Sequence, residues 1–166
     1  LNGVGFRNRF KKQEIYFNSL LQSANVFGVG GFRYGLGGQY SKEFKNAQKV
    51  EVDGKLDYGF NNKDIKGNLG VEYTFLPLKF GSFKVRGGDI YDMVNNYESV
   101  IGTFSRSNYV RKRFVGFSQR IEVFNGLYLK AGFDFSDRQE ITNITLANWS
   151  NQIFGELNEP QPFEKY

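Results

Sequence analysis

The sequence predicts an all-β fold, an antiparallel meander of long amphipathic strands. Two runs, residues 50–60 and 65–75, place apolar residues at every second position and polar or charged residues between them. Successive strand side chains point to opposite faces, so each run has one apolar and one charged face. Eleven residues exceed the usual strand of about 5 or 6 and match the roughly 9–11 that cross a bilayer at a tilt. The 18 Phe, 10 Tyr and 20 Gly, with only 3 Pro, also favour long strands joined by tight turns.

Composition limits the chemistry that this chain can perform. It has no Cys, which excludes disulfides and thiolate metal sites, and no His, the commonest general base and metal ligand. We therefore expect no enzyme activity and no catalytic, cofactor or metal site. The net charge of +5 comes from a mixture of both signs. No run approaches the roughly 18–20 apolar residues of a membrane helix, and the mean hydropathy of −0.49 is compatible with strands that hide their hydrophobicity in alternation.

The elements before residue 76 follow from alternation. The first 23 residues are ambiguous, since residues 14–21 fit either a helical turn or a short strand. A strand starts at Gly31, and a polar connection over residues 43–49 leads into the first long run. A turn over residues 61–64 then leads into the second long run, which completes an up-down-up meander.

Proline and glycine mark the next elements. Pro77 has no N–H for a ladder, so it predicts an interruption over residues 76–78. Beyond it we predict a short strand over residues 83–86 that ends near Gly87 and Gly88. A loop over residues 89–97 and a strand over residues 99–104 follow.

A long hairpin is predicted around Asn125 and Gly126, between strands over residues 113–123 and 127–137. A strict two-residue turn pairs Leu127 with Phe124, which lies on a charged face. A three-residue loop, residues 124–126, with Gly126 left-handed in a bulge, pairs Leu127 with Val123 and keeps both apolar faces together. We predict the three-residue loop, because a one-residue slip puts charge into the apolar layer.

Aromatic residues are predicted to form two belts around an aliphatic middle. One belt gathers at the end of the meander that carries the turn over residues 61–64, and the other gathers at the opposite end. The first comprises Phe32, Tyr34, Tyr58 and Phe60, and the second comprises Tyr40, Tyr73 and Phe75. Such belts are typical of the interfacial girdles of membrane barrels. The alternative is a soluble barrel or sandwich with an aromatic core.

The polar face of the predicted strands supplies the candidate lumen-facing residues. These are Arg33, Asp53, Lys55, Asp57, Lys66, Glu72, Arg120, Glu122, Lys130 and Asp134. Opposite charges alternate on neighbouring strands, which predicts cross-strand ion pairs. Such a ladder fills a narrow barrel or lines the water-filled lumen of a larger one, whereas a soluble sandwich carries it on its outer surface.

A basic cluster is the candidate contact for anions or lipid headgroups. It consists of Arg106, Arg111, Lys112 and Arg113, with aromatic residues nearby. The pattern fits a phosphate-and-stacking site for nucleic acid, a barrel rim that meets anionic headgroups, or a solvated loop. The solvated loop is the favoured interpretation of the three, and we expect no nucleic-acid partner.

Two motifs that suggest enzymes are weak. The glycine-rich residues 28–31 lack the dinucleotide fingerprint, because Arg33 occupies the position of the third glycine and no helical pattern follows. The carboxylates Asp134, Asp137 and Glu140 are compatible with glycoside hydrolysis only at a suitable separation, and a hydrated strand end explains them better.

Four sequence segments resemble parts of a known protein family: residues 105–108, the basic stretch 109–114, Glu122-Val123-Phe124-Asn125-Gly126-Leu127 and residues 134–138. Together they resemble the C-terminal barrel of a poorly characterised outer-membrane family of Bacteroidetes-type bacteria. In that family an N-terminal carboxypeptidase-regulatory-like domain precedes a large barrel. The resemblance extends over about residues 27–143 and implies an outer-membrane location with no established enzymatic role. Neither that N-terminal domain nor a clear terminal insertion strand is recognisable in this sequence.

The expectation is therefore one β-barrel region over residues 1–166, a fragment of a larger barrel, with less certain ends at 1–26 and 140–166. It serves as a non-enzymatic wall for transport, docking or assembly across a bacterial outer membrane. Its expected partners are outer-membrane lipid and other outer-membrane or periplasmic proteins. The alternative is a soluble β-barrel or sandwich that binds a ligand, such as a polyanion, through residues 106–113. An enzyme that uses carboxylates alone ranks third.

Overall fold

The computed structural model describes residues 3–21, 23–29, 31–93 and 109–141, and this part of the chain is all-β. Its strands are β1 Val4–Asn8, β2 Gln13–Phe17, β3 Ala24–Gly28, β4 Gly31–Glu43, β5 Lys49–Gly59, β6 Asp64–Leu76, β7 Gly81–Met93, β8 Tyr109–Phe124 and β9 Leu127–Gln139. A short 3-10 helix, Pro77–Lys79, is the only helical element among the described residues. No helix in these ranges is long and apolar enough to cross a membrane.

The strands form one antiparallel meander sheet, in the order β1-β2-β4-β5-β6-β7-β8-β9. Strands β2 and β3 share one edge of β4: β2 pairs with the half that contains Gly38, and β3 pairs with the half that contains Tyr34. Between them, the Asn18 N–H donates to the Gly37 carbonyl at 2.9 Å and the Gly35 N–H donates to the Ser23 carbonyl at 3.1 Å. Strands β2 and β3 therefore act as one interrupted strand. Within the ambiguous residues 14–21, the structure selects the strand.

The central meander confirms the two long predicted runs. Strands β5 and β6 extend over the predicted residues 50–60 and 65–75, with ends that differ by one residue. Leu36 lies opposite Leu56, and Leu56 opposite Gly67, so the predicted apolar faces are in register. Pro77 begins the 3-10 turn, as the missing N–H of proline predicted.

The prediction for β7 was wrong. A strand over residues 83–86 and a loop from residue 89 were expected, but β7 continues from Gly81 to Met93 and pairs with β8 along its length. Gly88 does not end the strand. It permits β7 to pack closely against β6, because a Cβ on this residue would lie 2.5 Å from the Gly67 carbonyl oxygen. The predicted strand over residues 99–104 lies outside the described residues.

The β8–β9 hairpin confirms the predicted register and corrects the turn. Ile121 lies opposite Leu129, and Phe117 lies opposite Phe133, so the apolar residues face one another as expected. At the tip, however, Phe124 pairs with Leu127 around a two-residue turn, and the register shifts between Glu122 and Phe124. Gly126 has the expected left-handed backbone, with φ of +81°. The extra residue thus lies in the strand, one position before the predicted loop.

Candidate functional site

The sheet register places all ten candidate lumen-facing residues on one face, which we call the charged face. Residues directly opposite each other on neighbouring strands share a face, as Asp57 does with Lys66 and Arg120 with Lys130. The predicted alternation of charge fails at Arg120 and Lys130, which are like charges. There the Arg120 guanidinium carbon lies 4.9 Å from the centre of the Tyr128 ring, a cation–π contact.

The opposite face, which we call the apolar face, is exposed. Many of its side chains keep roughly 40–60% of their surface accessible, for example Leu56 at 60% and Leu69 at 56%, whereas Val52, Tyr73 and Phe75 are half-buried. On the charged face, by contrast, the side chains of Arg33 and Lys66 near the β5–β6 turn are only 5% and 7% exposed, while the other end of that face, with Arg120, Lys130 and Asp134, is exposed. Among the described residues, the buried hydrophobic side chains are those of Val29, Val110 and Ile141 alone. This distribution is the reverse of a water-soluble domain, where apolar side chains are buried and charges are exposed.

The two predicted aromatic clusters exist at opposite ends of the sheet. Near the turn between β5 and β6, the ring centres of Phe32 and Phe60 are 5.4 Å apart, and those of Tyr58 and Phe60 are 5.3 Å apart. At the other end, the ring centre of Phe83 lies 5.5 Å from that of Tyr73 and 6.2 Å from that of Phe75, and the cluster extends to Phe117 at 6.5 Å. These offset and edge contacts are the favoured geometries for aromatic pairs.

An ion-pair network around Arg33 occupies the end of the charged face nearest the β5–β6 turn. The Arg33 guanidinium donates to Asp57 Oδ1 through Nε at 2.6 Å and to Asp64 Oδ1 through Nη1 at 2.7 Å. The Tyr91 hydroxyl donates to Asp64 Oδ2 at 2.7 Å. Lys66 Nζ lies 3.2 Å from Asp89 Oδ1. This geometry fixes side chains from four strands, β4, β5, β6 and β7, in one place.

The same network shows that the sheet curves toward its charged face. The ring of Tyr91 lies 5.2 Å from the Arg33 guanidinium carbon, although β7 and β4 are separated by two intervening strands. Three strand spacings correspond to about 14 Å along a flat sheet, and side chains stand roughly perpendicular to it. The contact therefore favours curvature with the charged side chains on the concave side, as do the ion pairs that cross over an intervening strand. Arg33 Nη2 is buried, and no hydrogen-bond partner for it lies in the described part of the chain.

Glycines on the charged face let ion pairs cross over an intervening strand. Arg33 on β4 reaches Asp64 on β6 above Gly59 of β5, where a Cβ would lie 2.6 Å from Asp64 Oδ1. The next-nearest strand is about 10 Å away, so the two side chains must meet over the strand between them. Any residue larger than glycine at this position would occupy the path of the pair.

Two more pairs repeat this arrangement across the sheet. Lys84 on β7 lies 3.3 Å from Asp53 on β5, above Gly70, and Arg86 on β7 lies 2.7 Å from Asp134 on β9. The latter pair crosses β8 above a glycine, at which a Cβ would lie 3.1 Å from Arg86 Nε. Asp53 and Asp134 therefore form ion pairs, but with cations two strands away and not on the neighbouring strands that the prediction named.

The basic cluster is partly neutralised within the described residues, where its three cations share the carboxylates Asp89 and Asp92. Arg111 Nε donates to Asp89 Oδ1 at 3.0 Å, and Lys112 Nζ lies 2.9 Å from Asp92 Oδ2. Arg113 Nε lies 3.7 Å from Asp89 Oδ2. Arg106, the remaining member, lies outside the described residues. These pairs reduce the charge that the described part of the cluster can offer to a polyanion.

Sequence reasoning missed three members of the Arg33 network: Asp64, Asp89 and Tyr91. Asp64 was assigned to a turn, and Asp89 and Tyr91 were assigned to a loop.

In the described ranges, no three acidic, His or Cys side chains come together in a way that could hold a metal ion. Asp134 is paired with Arg86, and Asp137 accepts a hydrogen bond from Gln139 Nε2 at 2.7 Å.

Long antiparallel strands, an exposed apolar face and an ion-paired concave face define an all-β meander protein with reversed surface chemistry. The chain belongs to the family of unknown function DUF5686, as its C-terminal domain, and the family model matches residues 1–166. No curated protein and no solved structure matches the chain. A C-terminal domain is what the sequence resemblance implied. The barrel and the N-terminal domain that it also implied are outside this match and belong to the proposal below.

Proposed function

We propose that this chain forms part of the wall of a transmembrane β-barrel in a bacterial outer membrane. There it serves transport, docking or assembly without bond-making chemistry. The observation that carries the proposal is the reversed burial of the sheet: Arg33 and Lys66 are buried on the concave face, while Leu56 and Leu69 are exposed on the convex face. Burying apolar surface contributes about 25 cal/mol per Å², so an uncovered face of this kind loses much of the usual driving force for folding. Lipid acyl chains would cover it.

The strand lengths support a bilayer-spanning role. The eleven residues of β5 extend about 34 Å at a rise of about 3.4 Å per residue. Tilted by about 40°, they rise about 26 Å, close to the roughly 25 Å apolar band of outer-membrane barrels. The aromatic clusters around Phe60 and Phe83 lie at the two ends of this distance, where interfacial girdles belong.

The charged face supports the lumen assignment of the ten candidate residues. Its cations and carboxylates neutralise one another through pairs such as Arg33 with Asp57 and Lys84 with Asp53. A charged layer next to lipid would be costly, whereas the same layer around water or a narrow polar lumen is stable. The sheet is open in the described residues, with β1 and β9 at its edges, so we propose that further strands of the same polypeptide complete the barrel. The N-terminal carboxypeptidase-regulatory-like domain implied by the resemblance belongs to this proposal.

Membrane fractionation of the native full-length protein tests the proposal. We expect recovery in the outer-membrane fraction, resistance to extraction by alkaline carbonate, and a requirement for detergent to obtain a monodisperse, β-rich protein. Release by carbonate would place the protein on the membrane surface and contradict the wall. A monodisperse protein without detergent would place the apolar face in a soluble core. It would favour the alternative, a soluble ligand-binding barrel or sandwich.

A further inference from the structure

We propose that the end of the sheet formed by its short turns binds the headgroups of anionic phospholipids. Four connections meet at this end: residues 9–12 between β1 and β2, 44–48 between β4 and β5, 77–80 between β6 and β7, and 125–126 between β8 and β9. We call these four turns the short-turn rim. The inference rests on the membrane-wall proposal and goes beyond it, because it names the lipid chemistry and the end that recognises it.

Charge on the short-turn rim has a single sign. Its turns contain five cations and no carboxylate; the cations are Arg9, Lys11, Lys12, Lys45 and Lys79. Lys12 forms an ion pair with Glu43 of the adjoining strand. No described carboxylate lies within ion-pair distance of the other four cations. At the opposite end, Arg33, Lys66 and Arg111 are matched by carboxylates, and only the described cations Lys63 and Arg138 have no carboxylate within ion-pair distance.

Apolar side chains accompany the cations in three of the four turns. Phe10 and Leu78 are almost completely exposed, and Phe80 and Phe44 are also exposed. Phe10 lies between two cations in the sequence, and Lys79 lies between Leu78 and Phe80. An exposed turn that only solvates charge has no need of such residues. A turn that combines both kinds of side chain fits the membrane interface, where rings and aliphatic groups enter the acyl boundary and Lys or Arg reaches the phosphates.

The position of the rim fits this role. The aromatic cluster around Tyr73, Phe75 and Phe83 lies at the same end of the sheet, so the cations project just beyond the proposed girdle. Every connection on this rim has at most five residues, whereas the opposite end carries the fifteen residues 94–108 beside two short turns. Outer-membrane barrels carry their short turns on the periplasmic side and their longer loops on the other. The short-turn rim would therefore meet the phospholipid leaflet that faces the periplasm. Each cation near an anionic membrane surface contributes attraction that salt screens, so several together produce a measurable lipid preference.

The test compares phosphatidylglycerol with phosphatidylcholine as ligands of the purified full-length protein in a nonionic detergent, by native mass spectrometry at low salt. We expect the wild-type protein to prefer phosphatidylglycerol by about tenfold. Full attraction to an anionic membrane allows roughly fivefold per cation, so this preference is a modest fraction of what the cations of the rim allow together. The triple variant Lys11→Gln, Lys45→Gln and Lys79→Gln should reduce this preference to about twofold or less.

A charge-matched control removes three cations outside the short-turn rim that form no described ion pair: Lys55→Gln, Lys63→Gln and Arg138→Gln. This control should keep the wild-type preference. Equal losses in the two triple variants would assign the attraction to net charge and overturn the inference, as would a wild-type protein without preference. Carbonate-resistant membrane recovery is measured first for every protein. Failure there overturns the wall proposal, whereas inserted proteins without a rim-dependent preference overturn the lipid inference alone.

Discussion

Replacing Leu69 by Arg separates a lipid-facing sheet from a water-facing one. Leu69 lies near the middle of β6 on the apolar face and is 56% exposed, and Ile65, on the same face near the start of β6, is 61% exposed. In water, either substitution exchanges one exposed side chain for another and changes the free energy of unfolding by no more than about 0.5 kcal/mol. In a bilayer, the cost depends on depth. Arg costs about 2–4 kcal/mol at the midplane and about 0–1 kcal/mol near an interface.

The structure fixes the expected difference in depth between the two sites. Four residues correspond to about 14 Å along a strand, or about 10 Å of depth at a tilt of about 40°. Half of the apolar band is about 12 Å, so Ile65 lies close to the interface when Leu69 lies close to the midplane. We expect Leu69→Arg to cost about 2–4 kcal/mol and Ile65→Arg at most about 1 kcal/mol. Leu56→Arg and Val71→Arg, also in the aliphatic middle, should behave like Leu69→Arg.

The assay is reversible urea unfolding of the full-length protein in phospholipid vesicles. Asn68→Arg is the matched control, because Asn68 is the exposed neighbour of Leu69 at the same depth on the charged face. It should cost less than about 1 kcal/mol, since it adds a cation to a polar surface but directly opposite Lys55. Equal costs for Leu69→Arg and Ile65→Arg in the folded, inserted protein would refute the assignment of the apolar face to lipid. A large cost for Asn68→Arg alone would show that the two faces are reversed.

Three further substitutions test the charged face and its turns by the same unfolding measurement. Arg33→Met removes the guanidinium that pairs with Asp57 and Asp64 and should lower the free energy of unfolding by about 3–5 kcal/mol. Adding Asp57→Asn should recover part of this loss. A loss below about 1 kcal/mol would contradict a buried network. Gly59→Ala places a methyl group against the Arg33–Asp64 pair and should cost about 1–3 kcal/mol. The same cost in the Arg33→Met background would show that the methyl group does not act through the pair. Lys63 has a φ of +51°, a left-handed backbone that glycine adopts without strain. Lys63→Gly should therefore stabilise the protein by about 1 kcal/mol, while Lys63→Ala changes its stability little. Equal effects of the two substitutions would argue against a left-handed backbone at this position.

Strands with continuous alternation could be predicted from the sequence. The register of β8 and β9 follows from pairing Ile121 with Leu129 and Phe117 with Phe133, because any slip by one residue buries charge in the apolar layer. The tip of that hairpin was less constrained. Both turn types satisfy the apolar pairing of the strand bodies when a bulge absorbs the extra residue, and the structure places that bulge before Phe124.

Only the first part of β7 could be recognised, because its pattern changes phase in the middle. Phe83 and Val85 alternate with Lys84 and Arg86, but two glycines follow, and then Asp89 takes the place of an apolar residue. Two consecutive glycines ordinarily indicate a strand end or a turn. Here they pair with β8 and permit close contact with β6, a reason that appears only when three strands are assembled.

Only part of the Arg33 network could be predicted from the sequence, for a geometric reason. The two ion pairs of Arg33 join residues that are 24 and 31 positions apart in the chain, and the pair with Asp64 crosses an entire strand. Cross-strand rules consider directly opposite and diagonal residues of adjacent strands, which includes Asp57 but not Asp64. The useful signal was the glycine itself, since a glycine on the charged face of a long strand leaves room for a pair between its two neighbours.

The reversed chemistry of the sheet couples the two proposals about lipid. Arg33 and Lys66 are buried without an apolar core around them, and buried ion pairs contribute little stability beyond offsetting their own desolvation. The charged face therefore specifies curvature and register, while the main gain from burial must come from the convex face. In the described residues that face is covered by nothing within the chain. Whatever covers the convex face must also contact the short-turn rim where that face ends. On this rim, Lys11 and Lys79 lie beside exposed apolar side chains. A bilayer with an anionic interface satisfies both surfaces, whereas a protein partner would have to be apolar along the strands and acidic at one end.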